Sequence, residues 1–154
     1  MRIAVAGDHA GLDMKNAITG WLNEWGHQVS DLGAHTYDRD DDYPDFADAV
    51  AQAVSKGTAE RGIICCGSGV GASIAANKVA GVRAAMCHDT YSAHQGVEHD
   101  DMNVLCVGGR VIGAEVAREV VQAFLGARFI DEGRYRRRLN KVLAIEARTA
   151  KAKS

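Results

Sequence analysis

The sequence predicts a three-layer α/β domain in which a mainly parallel five-stranded sheet is covered by helices on both faces. Three observations carry that prediction. Five short runs rich in Ile, Val, Ala, Cys and Gly recur along the chain, and helical stretches with apolar faces separate them. Most of the runs are made almost wholly of Ile, Val, Ala and Cys, the pattern of strands buried on both faces of a parallel sheet. At 154 residues, 47% of them hydrophobic, 25% charged and only one a proline, the chain has the length and composition of one domain spanning residues 1–154.

The first strand is Ile3 to Gly7. Leu12 to Trp25 follows as a helix, because Leu12, Met14, Ala17, Ile18, Trp21, Leu22 and Trp25 share one broad apolar face. The second strand is Gln28 to Gly33. An acidic loop, Asp38 to Pro44, comes next; it lacks the glycine and distant glutamate of an EF-hand and reads as solvated. The helix after Pro44 carries Phe46, Ala47, Val50, Ala51, Ala53 and Val54 inward and stops at Gly57. Gly62 to Cys66 is the third strand, followed by a glycine-rich turn and a helix from Gly71 to Lys78. Val82 to Cys87 and Val104 to Gly108 are the last two strands, with helices at Asp89 to Glu98 and Glu115 to Leu125. A basic, solvated helical extension closes the chain and frays from Lys151 onward.

Charge and cysteine usage exclude several function classes. A net charge of −2 argues against nucleic-acid binding through the overall field. The distribution is uneven: from Arg134 to Ser154 eight basic residues face one acid, leaving 10 basic and 19 acidic residues before it. No secretory signal and no apolar run of membrane-spanning length are visible, so no membrane partner is expected. Cys65, Cys66, Cys87 and Cys106 show no CxxC spacing and suit reduced thiols in the cytoplasm.

Right-handed crossovers place all strand C-termini along one edge, where ligands bind in open α/β sheets. The residues that follow strands are Asp8-His9-Ala10-Gly11, Cys66-Gly67-Ser68-Gly69-Val70-Gly71, His88-Asp89 and Gly109-Arg110. The Gly67 to Gly71 turn exposes N–H groups at a helix N-terminus and suits an oxyanion. Gly67-x-Gly69-x-x-Ala72 also fits a relaxed dinucleotide fingerprint, with Asp89 about 20 residues on, but the chain has no length left for a second substrate domain. Cys66 closes its strand just before this turn, where N–H groups favour thiolate over thiol; a small residue there also suits simple packing. Cys65 points to the opposite face.

His88, His94 and His99, with Asp89, Asp100 and Asp101, match no zinc spacing, and no metal is expected. His99 lies in a loop or helix end and suits proton exchange near neutral pH. Arg110 at the ligand edge and the Arg134, Arg136, Arg137, Arg138 cluster offer guanidinium forks for phosphate, from one chain or from two.

Taken together, Asp8-His9-Ala10-Gly11, Tyr43-Pro44-Asp45, Cys66 to Gly71 running into Ala75-Ala76-Asn77-Lys78, Tyr91-Ser92-Ala93, His99-x-Asp101-x-Asn103 and Gly109-Arg110-Val111-Ile112-Gly113 resemble type B ribose-5-phosphate isomerases. That family includes the galactose-6-phosphate isomerase subunits, and the similarity runs in order from residue 2 to about residue 147. The resemblance implies a Rossmann-like α/β/α fold, a phosphorylated sugar as substrate, a homodimer with active sites at the subunit interface, and neither metal nor other cofactor. Pairing of dimers into tetramers stays open. It further implies that Cys66 removes the proton alpha to the carbonyl, giving an enediol, and that His99, with Asp8 and Ser68, serves ring opening and proton movement between oxygens. Gly67, Gly69, Val70 and Gly71 then hold the enediolate oxygens. His9, Arg110, Arg134 and Arg138 match phosphate positions, the last two supplied by the partner subunit.

Three departures from the family pattern bear on substrate choice. Asp100 replaces the common asparagine beside the sugar, Tyr135 stands where histidine is frequent, and Ser68 replaces threonine while keeping its hydroxyl. The sugar implied is ribose 5-phosphate, with tetrose and hexose phosphates as alternatives. A non-catalytic nucleotide or phosphosugar module would use the same turn and bind without turnover. A subunit that pairs with a paralogue would keep it too, although Cys66 and His99 together argue against an inactive partner.

Overall fold

The computed structural model describes residues 1–152; Lys153 and Ser154, the end of the basic tail, lie outside the described residues. The chain runs β1 (Arg2–Gly7), α1 (Leu12–Glu24), β2 (Gln28–Asp31), α2 (Tyr43–Ser55), β3 (Arg61–Cys66), α3 (Val70–Ala76), β4 (Ala84–Met86), α4 (Thr90–Asp100), β5 (Val104–Gly108), α5 (Ala114–Gly126) and α6 (Gly133–Lys151). The strand order is β2-β1-β3-β5-β4, and every pairing is parallel. The sheet is therefore wholly, not mainly, parallel.

Side-chain alternation along the strands sorts the core into two layers. Ile3, Val5, Ile63, Cys65, Leu105 and Val107 pack against Ile18 and Leu22 of α1, Val97 of α4, and Val120 and Phe124 of α5. On the other face, Ala4, Ala6, Ile64, Cys66 and Cys106 meet Val50 and Ala51 of α2 and Ala72 and Ala76 of α3. The second layer is rich in alanine, which lets α2 and α3 lie close to the sheet. Each fully buried branched side chain contributes about 2 kcal/mol. Cys65 and Cys66 thus face opposite layers, as their adjacency predicts.

β2 and β4 are shorter than the sequence predicts. Regular β2 ends at Asp31, where Gly33 takes φ +99°, although Leu32, Gly33 and Ala34 go on hydrogen-bonding to Val5 and Gly7 of β1. β4 is confined to Ala84–Met86. Arg83 just before it is held by Asn103, whose side chain accepts the Arg83 amide and whose own amide donates to the Arg83 carbonyl. The C-terminal extension is a helix that ends at Lys151 with Ala152 as its cap, and the rest of the segment expected to fray lies outside the described residues. Of α6 only Leu139 is buried, and Val142, Leu143 and Ile145 form an exposed apolar stripe.

One buried charge ties α1 to the sheet. Lys15 is 1% exposed and donates from Nζ to both oxygens of Asp31, at 3.0 and 2.8 Å. Asp31 Oδ1 also accepts the Gly33 amide at 3.0 Å. Burial pushes the Asp31 carboxyl upward, but the Lys15 and Gly33 hydrogen bonds outweigh it and hold the group below its ordinary value of 3.8. A depressed carboxylate contributes stability above its unfolded value and loses it as pH falls through the folded one. Removing the charge leaves a buried ammonium unpaired. Asp31→Asn should therefore lose about 3 kcal/mol at neutral pH. In urea unfolding, the gap from wild type should stay constant down to about pH 4.5 and narrow below it.

Candidate active site

The C-terminal ends of β1, β3 and β5 carry their following turns to one edge, as parallel crossovers require. The turns enclose a pocket of about 470 Å³. Asp8, His9, Cys66, Gly67, Ser68, Gly71 and Arg110, all picked out in the sequence, line it, together with Tyr43 and Val111.

Backbone contact sets the spacing of these turns. A Cβ at Gly11 would lie 2.2 Å from the Cys65 carbonyl oxygen, and one at Gly108 would lie 2.6 Å from the Ser68 carbonyl oxygen. Only glycine admits approaches that close. Asp8 fixes the first turn by accepting the Ala10 and Gly11 amides on Oδ1, both at 3.0 Å. The third is pinned by His88, whose Nε2 accepts the Gly108 amide at 2.9 Å, so its ring proton sits on Nδ1. Burial lowers the His88 pKa, which keeps Nε2 an acceptor.

The second turn surrounds the thiol. Gly69 adopts φ +83° and donates its amide to Cys66 Sγ at 3.1 Å. An amide aimed at sulfur is the contact that negative charge on the sulfur strengthens. Val70 donates to Ser68 Oγ at 3.2 Å, while the amides of Gly67, Ser68 and Gly71 have no acceptor among the described residues. The helix that follows is only seven residues long, so these free N–H groups, more than a macrodipole, make the turn attractive to an oxyanion. Cys66 is 4% exposed yet lines the pocket. The other thiols differ: burial pushes Cys65 and Cys106 well above the usual range and Cys87 up to about 11, which leaves them protonated core residues.

His9 and Arg110 form the cationic side. The Arg110 guanidinium lies against Gly67, 3.6 Å from where a Cβ there would stand. His9 makes an unexpected contact, donating its amide to Asp41 Oδ1 at 3.0 Å and placing Nδ1 2.6 Å from the same oxygen. Tyr37 meets the imidazole edge-on, with ring centroids 6.0 Å apart. The acidic loop is thus not uniformly solvated. Asp38, Asp40 and Asp42 are exposed, but the Asp41 side chain is only 10% exposed. Nothing in the local spacing marks Asp41 among its acidic neighbours, because its partner is 32 residues away. Asp8, His9 and Asp41 present ligand-type atoms within 4.8 Å of one another. Asp8 Oδ1 is already taken by two amides and His9 Nδ1 by Asp41, so the group is a hydrogen-bonded cluster. Tyr43, the other residue without a role in the sequence reading, forms the wall opposite Gly71. A Cβ at Gly71 would meet its ring at 2.6 Å.

The remaining sequence candidates do not join this pocket within one chain. α4 leads back from the ligand edge and delivers His99 and Asp100 to the opposite edge, where Asn103 meets the start of β3. There Gln95 Nε2 lies 2.8 Å from His99 Nδ1, and an amide nitrogen only donates, so the neutral ring carries its proton on Nε2. Tyr135 of α6 stacks on His99 with centroids 4.5 Å apart. Arg134 donates to the Tyr135 hydroxyl at 3.1 Å and lies over its ring. Asp100 lines a separate groove of about 640 Å³ beside α6, and Arg138 lies one turn beyond Arg134. Arg110 and the α6 arginines therefore do not converge within one chain. Gly69 and Val70 belong to the turn without lining the pocket.

Residues 3–142 match the family described as Ribose/Galactose Isomerase. The chain is 46% identical over 147 residues to ribose-5-phosphate isomerase B of Escherichia coli, covering 96% of this chain and 97% of the relative. It is 43% identical over 129 residues to D-erythrulose-4-phosphate isomerase of Pectobacterium atrosepticum, covering 84% and 85%. A solved ribose-5-phosphate isomerase B from Clostridium thermocellum superposes with a TM-score of 0.93 at 43% identity, covering 97% and 99%. The Rossmann-like architecture agrees with these likenesses.

The glycine contacts give a direct test of how the pocket is built. Gly11→Ala forces a methyl group into the β3 backbone and should lower stability by about 3 kcal/mol in urea unfolding. Gly20→Ala, whose Cβ meets nothing within 4 Å inside a helix, should be neutral or stabilising.

Proposed function

The chain belongs to the ribose/galactose isomerase family, and on that premise we propose that it interconverts D-ribose 5-phosphate and D-ribulose 5-phosphate in the cytoplasm through an enediol, without a metal. The observation that carries this reading is the Cys66 sulfur, held by the Gly69 amide beside three N–H groups without acceptors and close to two cationic side chains. An aldose–ketose isomerase needs a base for a carbon acid, donors where the oxyanion develops, and a clamp on the non-reacting phosphate.

The proposed steps follow from those parts. Cys66, as thiolate, takes the proton from C2 of the open-chain aldose, and the C2–H electron pair forms the C1–C2 double bond of the enediolate. The Gly67, Ser68 and Gly71 amides receive the negative charge on oxygen. Protonation of that oxygen, with loss of the proton from the neighbouring hydroxyl, moves the carbonyl from C1 to C2, and the thiol returns its proton to C1. Asp8 and Ser68 stand at the pocket to move protons between the oxygens. His99, with Nε2–H as donor, serves ring opening.

His99, Asp100, Arg134 and Arg138 act in this scheme from a second copy of the chain. Two observations support that arrangement. The pocket that holds Cys66 contains none of the four. Val70, Ile74, Val111, Val142, Leu143 and Ile145 are also exposed, and apolar side chains left open to solvent suit an isologous contact. Arg134 and Arg138 would then reach the phosphate beside His9 and Arg110. A four-carbon sugar phosphate is a second reading, favoured by the Tyr135 cluster. Its ring and Arg134 draw the cationic end toward His99, which shortens the span available to substrate.

Turnover of a panel of phosphorylated tetroses, pentoses and hexoses tests the substrate. Ribose 5-phosphate should convert fastest; preference for a tetrose would select the second reading, and turnover of none would refute both. Cys66→Ala should lower kcat at least about a hundredfold with KM little changed. Arg138→Ala should mainly raise KM. If sites span two chains, inactive Cys66→Ala and His99→Ala proteins refolded together should regain roughly a quarter of wild-type turnover. Half of randomly assorted dimers are hybrids, each with one intact site of two. Absence of recovery would place the whole site within one chain.

A further inference from the structure

We propose that Asp41 is a positioning residue of this site: one carboxylate oxygen grips both the backbone N–H and the ring Nδ1 of His9, fixing the imidazole so that Nε2–H is presented to the anionic end of the substrate. The inference rests on the isomerase reading for the identity of that anion. The grip itself stands on geometry.

Four acids stand together at positions 38, 40, 41 and 42, and only Asp41 turns inward. Its Oδ2 is buried with no hydrogen-bond partner among the described residues. An unpaired buried carboxylate oxygen is costly, and such a feature persists where the placement serves a purpose. That purpose is legible in the neighbours. His9 and Arg110 line the same pocket and repel each other when both are charged, whereas Asp41 and Asp8 offset that repulsion before any substrate arrives. The site is thereby preorganised for an anion instead of reorganising around one.

The chemistry of the contact fixes the proton inventory. A carboxylate only accepts, so Nδ1 carries a proton. Nε2 then offers either a lone pair or, on the imidazolium, a second N–H, and only the second can bind a phosphate oxygen. The groups facing the ring are Asp41 and Tyr37 from the acidic loop, Asp8 from the end of β1 and Arg110 from the turn after β5. The Asp41 hydrogen bond raises the His9 pKa; burial and Arg110 oppose it, Asp8 assists, and the net direction is upward. The imidazolium therefore persists to higher pH than that of an ordinary histidine and is lost as pH rises through the raised value.

Asp41→Asn tests the proposal, since the amide keeps an oxygen for Nδ1–H and removes the charge. Ring titration of His9 by NMR, with His9→Gln for assignment, should give a value above 6.5 in wild type and a shift of about one pH unit downward in the variant. Sulfate, whose charge does not change over this range, should bind about tenfold more weakly to the variant near neutral pH. The rise of KM with pH should begin at lower pH, and kcat should fall by less than KM rises. Asp41→Ala, which also frees the ring, should weaken sulfate further. A wild-type His9 titrating at or below 6.5, or sulfate binding unchanged in a folded Asp41→Asn protein, would overturn the proposal. Titration and sulfate binding need no turnover. The expected shifts in a protein that isomerises no sugar phosphate would support Asp41 and defeat the functional reading alone.

Discussion

The site depends on three backbones touching where side chains would ordinarily keep them apart. Gly11 lies on the Cys65 carbonyl and Gly108 on the Ser68 carbonyl, so the turns after β1, β3 and β5 form one continuous floor. Their hydrogen bonds follow from that contact. Asp8 closes the first turn on the Ala10 and Gly11 amides, and Cys66 and Gly67 carbonyls accept the amides of Gly109 and Arg110. Because the floor is backbone, it moves only if strands move, and the strands are anchored in two full core layers. Pocket geometry is thus coupled to global stability and not to the rotamers of a few side chains.

Against that rigid floor, one register decision separates reactive from inert sulfur. Cys65 and Cys66 are neighbours with opposite faces, and a shift of one residue in β3 would exchange them. Cys65 is sealed in the layer under α1 and α5, where burial keeps it a thiol. Cys66 is nearly as buried, but at the strand's end its sulfur meets the Gly69 amide and the pocket. The difference lies in one N–H group and an opening to substrate.

The fold was legible because apolar runs and amphipathic stretches report burial directly, and β1 to β5 and α1 to α5 each overlap the stretch those patterns mark, with β2 and β4 shorter than marked. What depended on short local order was also legible: the Asp8 to Gly11 turn, the Gly67 to Gly71 turn and Arg110 each follow a strand. Contacts between distant loops were not. Asp41 looks like its acidic neighbours until the chain folds it onto His9, and Tyr43 entered only as part of the Tyr43-Pro44-Asp45 motif, with no contact to Gly71 implied. The ends of β2 and β4 escaped for a similar reason, being set by a left-handed glycine and by the Asn103 side chain.

Strand and helix lengths decide why one chain does not close the site. α4 has 11 residues, and at a rise of about 1.5 Å each it carries the chain about 14 Å away from the ligand edge by the time His99 is reached. The strands beside it span a comparable distance, so His99 arrives at the opposite edge of the same sheet. No side chain bridges such a gap; an extended arginine reaches about 7 Å. A three-layer domain of this size can place its thiol and its floor on one edge, or its histidine and basic helix on the other. Bringing the two together requires a second copy whose far edge faces the first copy's near edge. On that reasoning the charge imbalance of the sequence becomes a geometric statement. The basic segment sits on α6, away from the pocket lined by Asp8, His9 and Arg110, and in the proposed dimer two-fold pairing would return it to that pocket.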